Sequence, residues 1–350
     1  MRALRWNRWK YLGLLAVTGL AACGGGDGDA PEETRAQDSR SFAPANPSAT
    51  TFDALAAAAG DTVDNASTSR WAGVLEGAAY RIEVPANWNG RLVMYAHGYA
   101  GEGSALNVTN PSIRRYLIQN GYAWAASSYS KNYYDVRAGV EDTNALALAF
   151  NRLAASHGRP LAQPQRLYIT GHSMGGHVTA AAIEAEAQST ARNKVRYQGA
   201  VPMCGVMGDT QLFDYFAAAQ VTAQALAGEA QHAVTDWAAI QGKVTSALFT
   251  TFPSAPTATG RAYLSVIQNL TGGPRPLFDL GVAVGGSFAP VWGVFGSDGS
   301  VNGILNRNVT DTNRFTYRID GDAAASAARN AGVQTTPAAP DPIRPRRDGL

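Results

Sequence analysis

The stretch RLYITGHSMGGHVTAAAIEAEA, residues 166–187, decides the fold. Arg166 to Thr170 is a short β-type run, and from Met174 onward the small residues read as a helix. Between them Gly171-His172-Ser173-Met174-Gly175 forms a G-x-S-x-G turn. A serine at a sharp strand-to-helix turn is held out from the backbone as a nucleophile. The flanking glycines are needed because the turn is strained and the helix passes close to neighbouring strands. A serine that only caps a helix does not require the paired glycines, so Ser173 is the expected nucleophile.

The neighbouring sequence supplies a sheet for this turn. RWAGVLEGAAYRIEVP (70–85) reads as a hairpin about Glu76-Gly77. RLVMYAHGY (91–99) and YAWAASSYS (122–130) suit buried strands, and Asn110 to Asn120 reads as a helix closed by Gly121. VEDTNALALAFNRLAASHG (140–158) has the apolar spacing of an amphipathic helix with an acidic start and a glycine stop. A last apolar run, YQGAVPMCGV (197–206), holds Cys204, expected to be a small buried hydrophobe. Strands alternating with helices predict an α/β fold, a doubly wound, mostly parallel sheet covered on both faces.

From Gly208 the alternation stops. Residues 208–310 are Ala-rich, then glycine- and aromatic-rich, and read as a helical cap inserted after a core strand. Residues 311–350 read as an incomplete return to the core with an irregular tail. Prolines at 337, 340, 342 and 345 bar that tail from a central strand.

At the other end, Arg2, Arg5, Arg8 and Lys10 precede the apolar run YLGLLAVTGLAA (11–22), too short for a comfortable membrane span. Leu20-Ala21-Ala22-Cys23 resembles the bacterial lipobox. That resemblance implies a signal peptide over 1–22, lipidation of Cys23 with acyl chains such as palmitate, and an extracytoplasmic protein held at a membrane. Gly24 after the cysteine favours the outer membrane of a Gram-negative bacterium. Residues 23–52, rich in Gly, Pro, Ser and acids, read as a flexible tether, leaving 53–207 as the core. The net charge of +2, close to zero once the leader is removed, excludes the basic face that nucleic acid requires. No histidine pair has metal-ligand spacing, and no metal or organic cofactor is expected.

VPANWNGRLVMYAHGY (84–99), GYAWAASSYS (121–130), YITGHSMGGH (168–177) and MCGVMGDTQLFDYF (203–216), in this order, resemble bacterial extracytoplasmic members of the α/β-hydrolase superfamily, a likeness covering about residues 70–207. The resemblance implies a Ser–His–acid triad and hydrolysis of carboxylic esters, less often peptides, on small-molecule or polymeric substrates. It also implies an oxyanion hole formed by the backbone N–H groups of Tyr99 and Met174, with the Tyr99 ring over the substrate.

The family carries its acid after the seventh strand and its histidine after the eighth, and here the chain departs from it. Neither late strand is visible, and of five histidines only His177 and His232 follow Ser173. His97 is expected to support the oxyanion turn, His172 to pack beneath the nucleophile, His157 to lie in a loop and His177 to make core or surface contacts. Asp209 and His232 have the chain order of a triad acid and base, and they are the remaining candidates. The other account is a chain that stops short of the last two strands. Three functions stay open: a serine esterase of lipase-like type, a serine peptidase of the same fold, and a non-catalytic binding lipoprotein that lost its base.

Overall fold

The computed structural model describes residues 41–101, 103–208, 210–285, 292–293, 312 and 314–334. The leader, Cys23 and Asp209 lie outside the described residues. In chain order the core contains β1 (Ala43–Pro44), β2 (Ser69–Leu75), β3 (Ala78–Val84), β4 (Arg91–Ala96), β5 (Ala105–Leu106), α1 (Arg114–Gln119) and β6 (Ala123–Ser127). It continues with α2 (Val136–Ser156), β7 (Arg166–His172), α3 (Met174–Ala181), α4 (Ala185–Thr190) and β8 (Gly199–Met203).

Six strands form one sheet in the order β2-β3-β6-β4-β7-β8. The β2–β3 and β3–β6 pairs are antiparallel, whereas β6, β4, β7 and β8 run parallel. The β2–β3 hairpin turns at Glu76 and Gly77, both at positive φ (48° and 88°), which suits the right-handed twist of its strands. Successive side chains of a strand point to opposite faces, and the core divides accordingly. Leu92, Met94, Ala96, Ala123 and Ala125 face the cluster that includes Leu146 and Phe150 of α2 and Met174 and Val178 of α3. Val93, Tyr95, Trp124 and Ala126 face Leu117 and Ile118 of α1. The fold is mixed α/β, with a mostly parallel sheet covered by helices on both faces.

Three local expectations are corrected. Helix α2 begins at Val136, four residues before the expected Val140, because the Asp135 carboxylate accepts the Ala138 N–H (2.9 Å) and caps it there. Residues 43–52 are part of the folded core and not tether: β1 pairs with β5, and Phe52 lies 5.6 Å from Trp124, ring to ring. The Arg81 and Arg114 guanidiniums each sit 5.2 Å from the Phe52 ring, so its burial comes from residues distant in sequence. Cys204 is exposed, in left-handed backbone (φ 49°), and not a buried hydrophobe.

Strand β8 explains the exposure. Among the described residues no strand pairs with its outer side, and Val201 is 59% exposed. The Ser173 N–H donates to the Met203 carbonyl (3.1 Å), so by the two-residue period Ala200 and Pro202 turn their backbone outward. A proline there has no N–H to leave unpaired.

Beyond the sheet, α5 (Thr210–Leu226), α6 (Trp237–Leu248), a ribbon of β9 (Phe249–Thr251) and β10 (Ala255–Pro256), α7 (Ala258–Leu270) and α8 (Phe278–Gly285) form a helical group. Trp237, Phe249, Tyr263 and Trp292 fill its centre, and Trp292 Nε1 donates to the Tyr263 hydroxyl (3.0 Å). Tyr317 and Ile319, followed by α9 (Ala323–Gln334), pack with Ala218 of α5 and Val266 of α7. Among the described residues no helix is long and apolar enough to cross a membrane.

Candidate active site

The sheet topology selects the place for a site. From β4 the chain moves one way to β6, then crosses back over β4 to β7. The helix after β4 covers one face and the helix after β7 the other, so the loops at the carboxyl ends of these two strands diverge. A crevice opens at such a switch point. The end of β4 carries His97-Gly98-Tyr99, and the end of β7 carries Ser173.

Ser173 is exposed, with φ 55° and ψ −122°, a conformation that L-residues rarely adopt. Such strain costs of order 1–3 kcal/mol and persists where the surroundings over-determine it. A Cβ on Gly171 or Gly175 would collide with the Ala96 carbonyl, and one on Gly176 would lie 2.7 Å from the Gly205 Cα. The elbow therefore fits only because three residues around it lack side chains.

The turn His97-Gly98-Tyr99, expected to hold an oxyanion, lies against Ser173. A Cβ placed on Gly98 would be 3.4 Å from the Ser173 Cβ and 4.0 Å from its Oγ. Among the described residues neither the Gly98 N–H nor the Met174 N–H has a hydrogen-bond partner. Tyr99 is 45% exposed beside them. Buried N–H groups are rarely left unpaired, and Met174 is 1% exposed. Donors left open next to a protruding hydroxyl are what an oxyanion requires.

The structure assigns every histidine a partner. Buried His97 sets Nδ1 2.6 Å from the Gly98 carbonyl and Nε2 3.0 Å from the Ser128 carbonyl. Burial pushes its pKa down, and the two carbonyl contacts oppose that shift. His172 lies 3.4 Å from both the Tyr95 and Ser112 hydroxyls. His177 Nδ1 is 3.0 Å from the Tyr134 hydroxyl, whose pKa burial pushes up to about 12. His157 caps the end of α2, stacks on Trp71 at 5.5 Å and meets the Tyr80 hydroxyl at 3.2 Å, so it is more than a loop residue.

His232, the candidate base, is half-buried between α5 and α6. Its Nε2 is 3.2 Å from Glu229 Oε2 and its Nδ1 3.9 Å from Asp236 Oδ2. Both carboxylates are near neighbours in sequence, and no hydrogen bond links His232 to Ser173. His177 meets Ser173 only through the backbone, its N–H donating to the Ser173 carbonyl (3.2 Å), and among the described residues no histidine ring is bonded to the Ser173 hydroxyl. Asp209, the candidate acid, has no described position. Nor do any three His, Cys, Asp or Glu among the described residues form a group that could hold a metal.

Sequence reasoning missed the scaffold behind the His97-Gly98 turn. Tyr129, in left-handed backbone (φ 57°), stacks on His97 at 4.0 Å and donates its hydroxyl to the His97 carbonyl (2.9 Å). The next residue, Ser130, gives its N–H and hydroxyl to buried Asp142 (2.6 and 2.7 Å). Burial pushes the Asp142 carboxyl up, against the two Ser130 bonds. No local pattern marks these residues, because a non-glycine at positive φ leaves no trace in composition.

No protein-family model matches the sequence, and neither does any curated protein. Among solved structures the chain is similar to esterase B from Lactobacillus rhamnosis inhibited with a tributyrin phosphonate. That match has 19% identity and a TM-score of 0.27, covering 38% of this chain and 47% of that one. It is also similar to brefeldin A esterase, described as a bacterial homologue of human hormone-sensitive lipase (18%, TM-score 0.28, 41% of each chain). A thermostable esterase from Pseudomonas putida matches at 19% identity and TM-score 0.26, over 38% of this chain and 43% of that one. The chain spans less than half the length of each, and likeness at these TM-scores carries no functional weight.

Proposed function

We propose that the chain carries the nucleophile and oxyanion half of a serine hydrolase of the α/β-hydrolase type acting on carboxylic esters. The observation that carries this reading is Ser173 itself. It is exposed on strained backbone, beside the N–H groups of Gly98 and Met174, which have no partner among the described residues. In the proposed reaction the Ser173 oxygen attacks the ester carbonyl and the carbonyl oxygen takes the negative charge among the backbone N–H donors; the C–O bond to the alcohol then breaks, and the alcohol leaves with the proton that the serine hydroxyl gave up. Water then releases the acid from the acyl-serine. Esters are preferred to peptides because an alkoxide leaves with less help from a proton donor than an amine does.

The test is a fluorophosphonate probe followed by peptide mapping. Label is expected on Ser173 alone and is lost in Ser173→Ala; label that survives the substitution removes the assignment. Catalytic turnover is expected to be slight, since His232 is engaged with Glu229 and Asp236, and His232→Ala should leave it unchanged. Robust ester hydrolysis abolished by both His232→Ala and Asp209→Asn would instead identify His232 as the base and Asp209 as the acid.

Acyl anchoring at Cys23 is proposed on the lipobox resemblance alone. Cys23→Ser is expected to move the protein from the membrane fraction to the soluble one, because a run that short does not hold a span. Retention of Cys23→Ser in salt-washed membranes would count against the anchor.

A further inference from the structure

We propose that Tyr129 and His97 are positioning residues that aim two successive backbone N–H groups, those of Gly98 and Tyr99, at the oxyanion formed on Ser173. This rests on the hydrolase reading above. The Tyr129 hydroxyl donates to the His97 carbonyl (2.9 Å), and His97 Nδ1 lies 2.6 Å from the Gly98 carbonyl, to which it donates in the tautomer proposed here. Both anchors lie in the interior, with Tyr129 1% and His97 3% exposed. A trans peptide sets its N–H opposite its C=O. Two successive carbonyls tied to the buried pair therefore turn the next two N–H groups the other way. Consecutive N–H groups on one side make a small anion-binding concavity. The side of Gly98 that lacks a side chain packs against His172 and Ser173, and its N–H has no partner among the described residues.

The pair is itself held. The Tyr129 N–H donates to Ser127 Oγ (3.0 Å), its carbonyl accepts from Ser128 Oγ (2.8 Å), and Ser128 Oγ accepts the Ala79 N–H (2.9 Å). These bonds tie the left-handed residue to β3 and β6. Burial pushes the Tyr129 hydroxyl well up, so it stays protonated as a donor. On the far side of the His97 ring, Nε2 meets the Ser128 carbonyl (3.0 Å). A neutral imidazole can donate from only one nitrogen, so it matters which one carries the proton.

The variants separate the two nitrogens. His97→Asn places an amide near the position of Nδ1 and keeps a donor for Gly98. His97→Gln reaches toward the position of Nε2 and Ser128. Loss of a whole oxyanion donor costs about a hundredfold or more in rate. A mis-aimed pair is expected to slow fluorophosphonate labelling of Ser173 by about tenfold in Tyr129→Phe and His97→Gln, with His97→Asn closer to the parent. Equal losses in both His97 variants, or parent rates in all three, would overturn the proposal. If the variants do not fold, nitrogen-15 NMR of the parent decides: Nδ1 bearing a proton supports the anchor, and a bare Nδ1 refutes it. A parent chain that does not label at Ser173 defeats the hydrolase reading, while the NMR result still judges the anchor.

Discussion

Gly175→Ala is expected to destabilise the protein by about 3 kcal/mol or more, at the upper end of what overpacking costs. The obstacle is main chain. A Cβ at Gly175 would lie 2.6 Å from both the Ala96 carbonyl carbon and the His97 carbonyl oxygen, and closer still to the Ala96 oxygen. No rotamer relieves that contact, because β4 is hydrogen-bonded on both sides, to β6 and to β7. Relief requires α3 to back away from the sheet, which would also withdraw the Met174 N–H and Ser173. Denaturant unfolding and fluorophosphonate labelling should therefore fall together. Gly242, in the exposed middle of α6, is the control: a Cβ there meets nothing within 4 Å. Gly242→Ala should stabilise by roughly 0.5–1 kcal/mol, because alanine loses less freedom than glycine in a helix. Equal, small effects at both positions would mean that the close approach of α3 to β4 is not a constraint.

The contrast between those glycines also shows what the sequence could reveal. Gly171 and Gly175 sit inside a five-residue pattern with a strand before it and a helix after it, so their role was legible. The hairpin at Glu76-Gly77 and the stop of α2 at Gly158 were legible for the same reason: turn chemistry is local. Residues 43–52 were not, since Phe52 is a single aromatic in a polar stretch and its burial depends on Arg81, Arg114 and Trp124. Cys204 read as buried because the run 197–206 is apolar, yet burial depends on which strands pair, and periodicity does not encode that. In the site, the exposed and strained turn position of Ser173 follows from motif and context. Tyr129 could not be anticipated, because its contribution is a hydroxyl delivered to a carbonyl 32 positions earlier in the chain.

The same limit hid the buried charge near the end of β3, where Glu83 in IEVP resembles an ordinary solvent-facing strand residue. Glu83 is fully buried. Its carboxylate accepts Arg114 Nε (2.6 Å) and Nη2 (3.1 Å), Trp124 Nε1 (2.9 Å) and the Thr68 hydroxyl (2.7 Å). Arg114 Nη2 also donates to the Asp53 carbonyl (2.8 Å), which brings the segment before β2 into the same network. A buried ion pair of this kind adds little net stability over apolar residues of equal volume. Removing one partner strands the other without water, at about 3–5 kcal/mol. Arg114→Met is therefore expected to lower stability by that amount in denaturant unfolding. Arg114→Lys should recover little, because an ammonium cannot match the two-pronged contact. The double variant Glu83→Leu/Arg114→Met should regain much of the loss, less the cost of the Trp124 N–H left unpaired. A cost below about 1 kcal/mol for Arg114→Met, or double-variant losses that simply add, would show that water reaches Glu83 and that the network does not fasten residues 53–68 to the sheet.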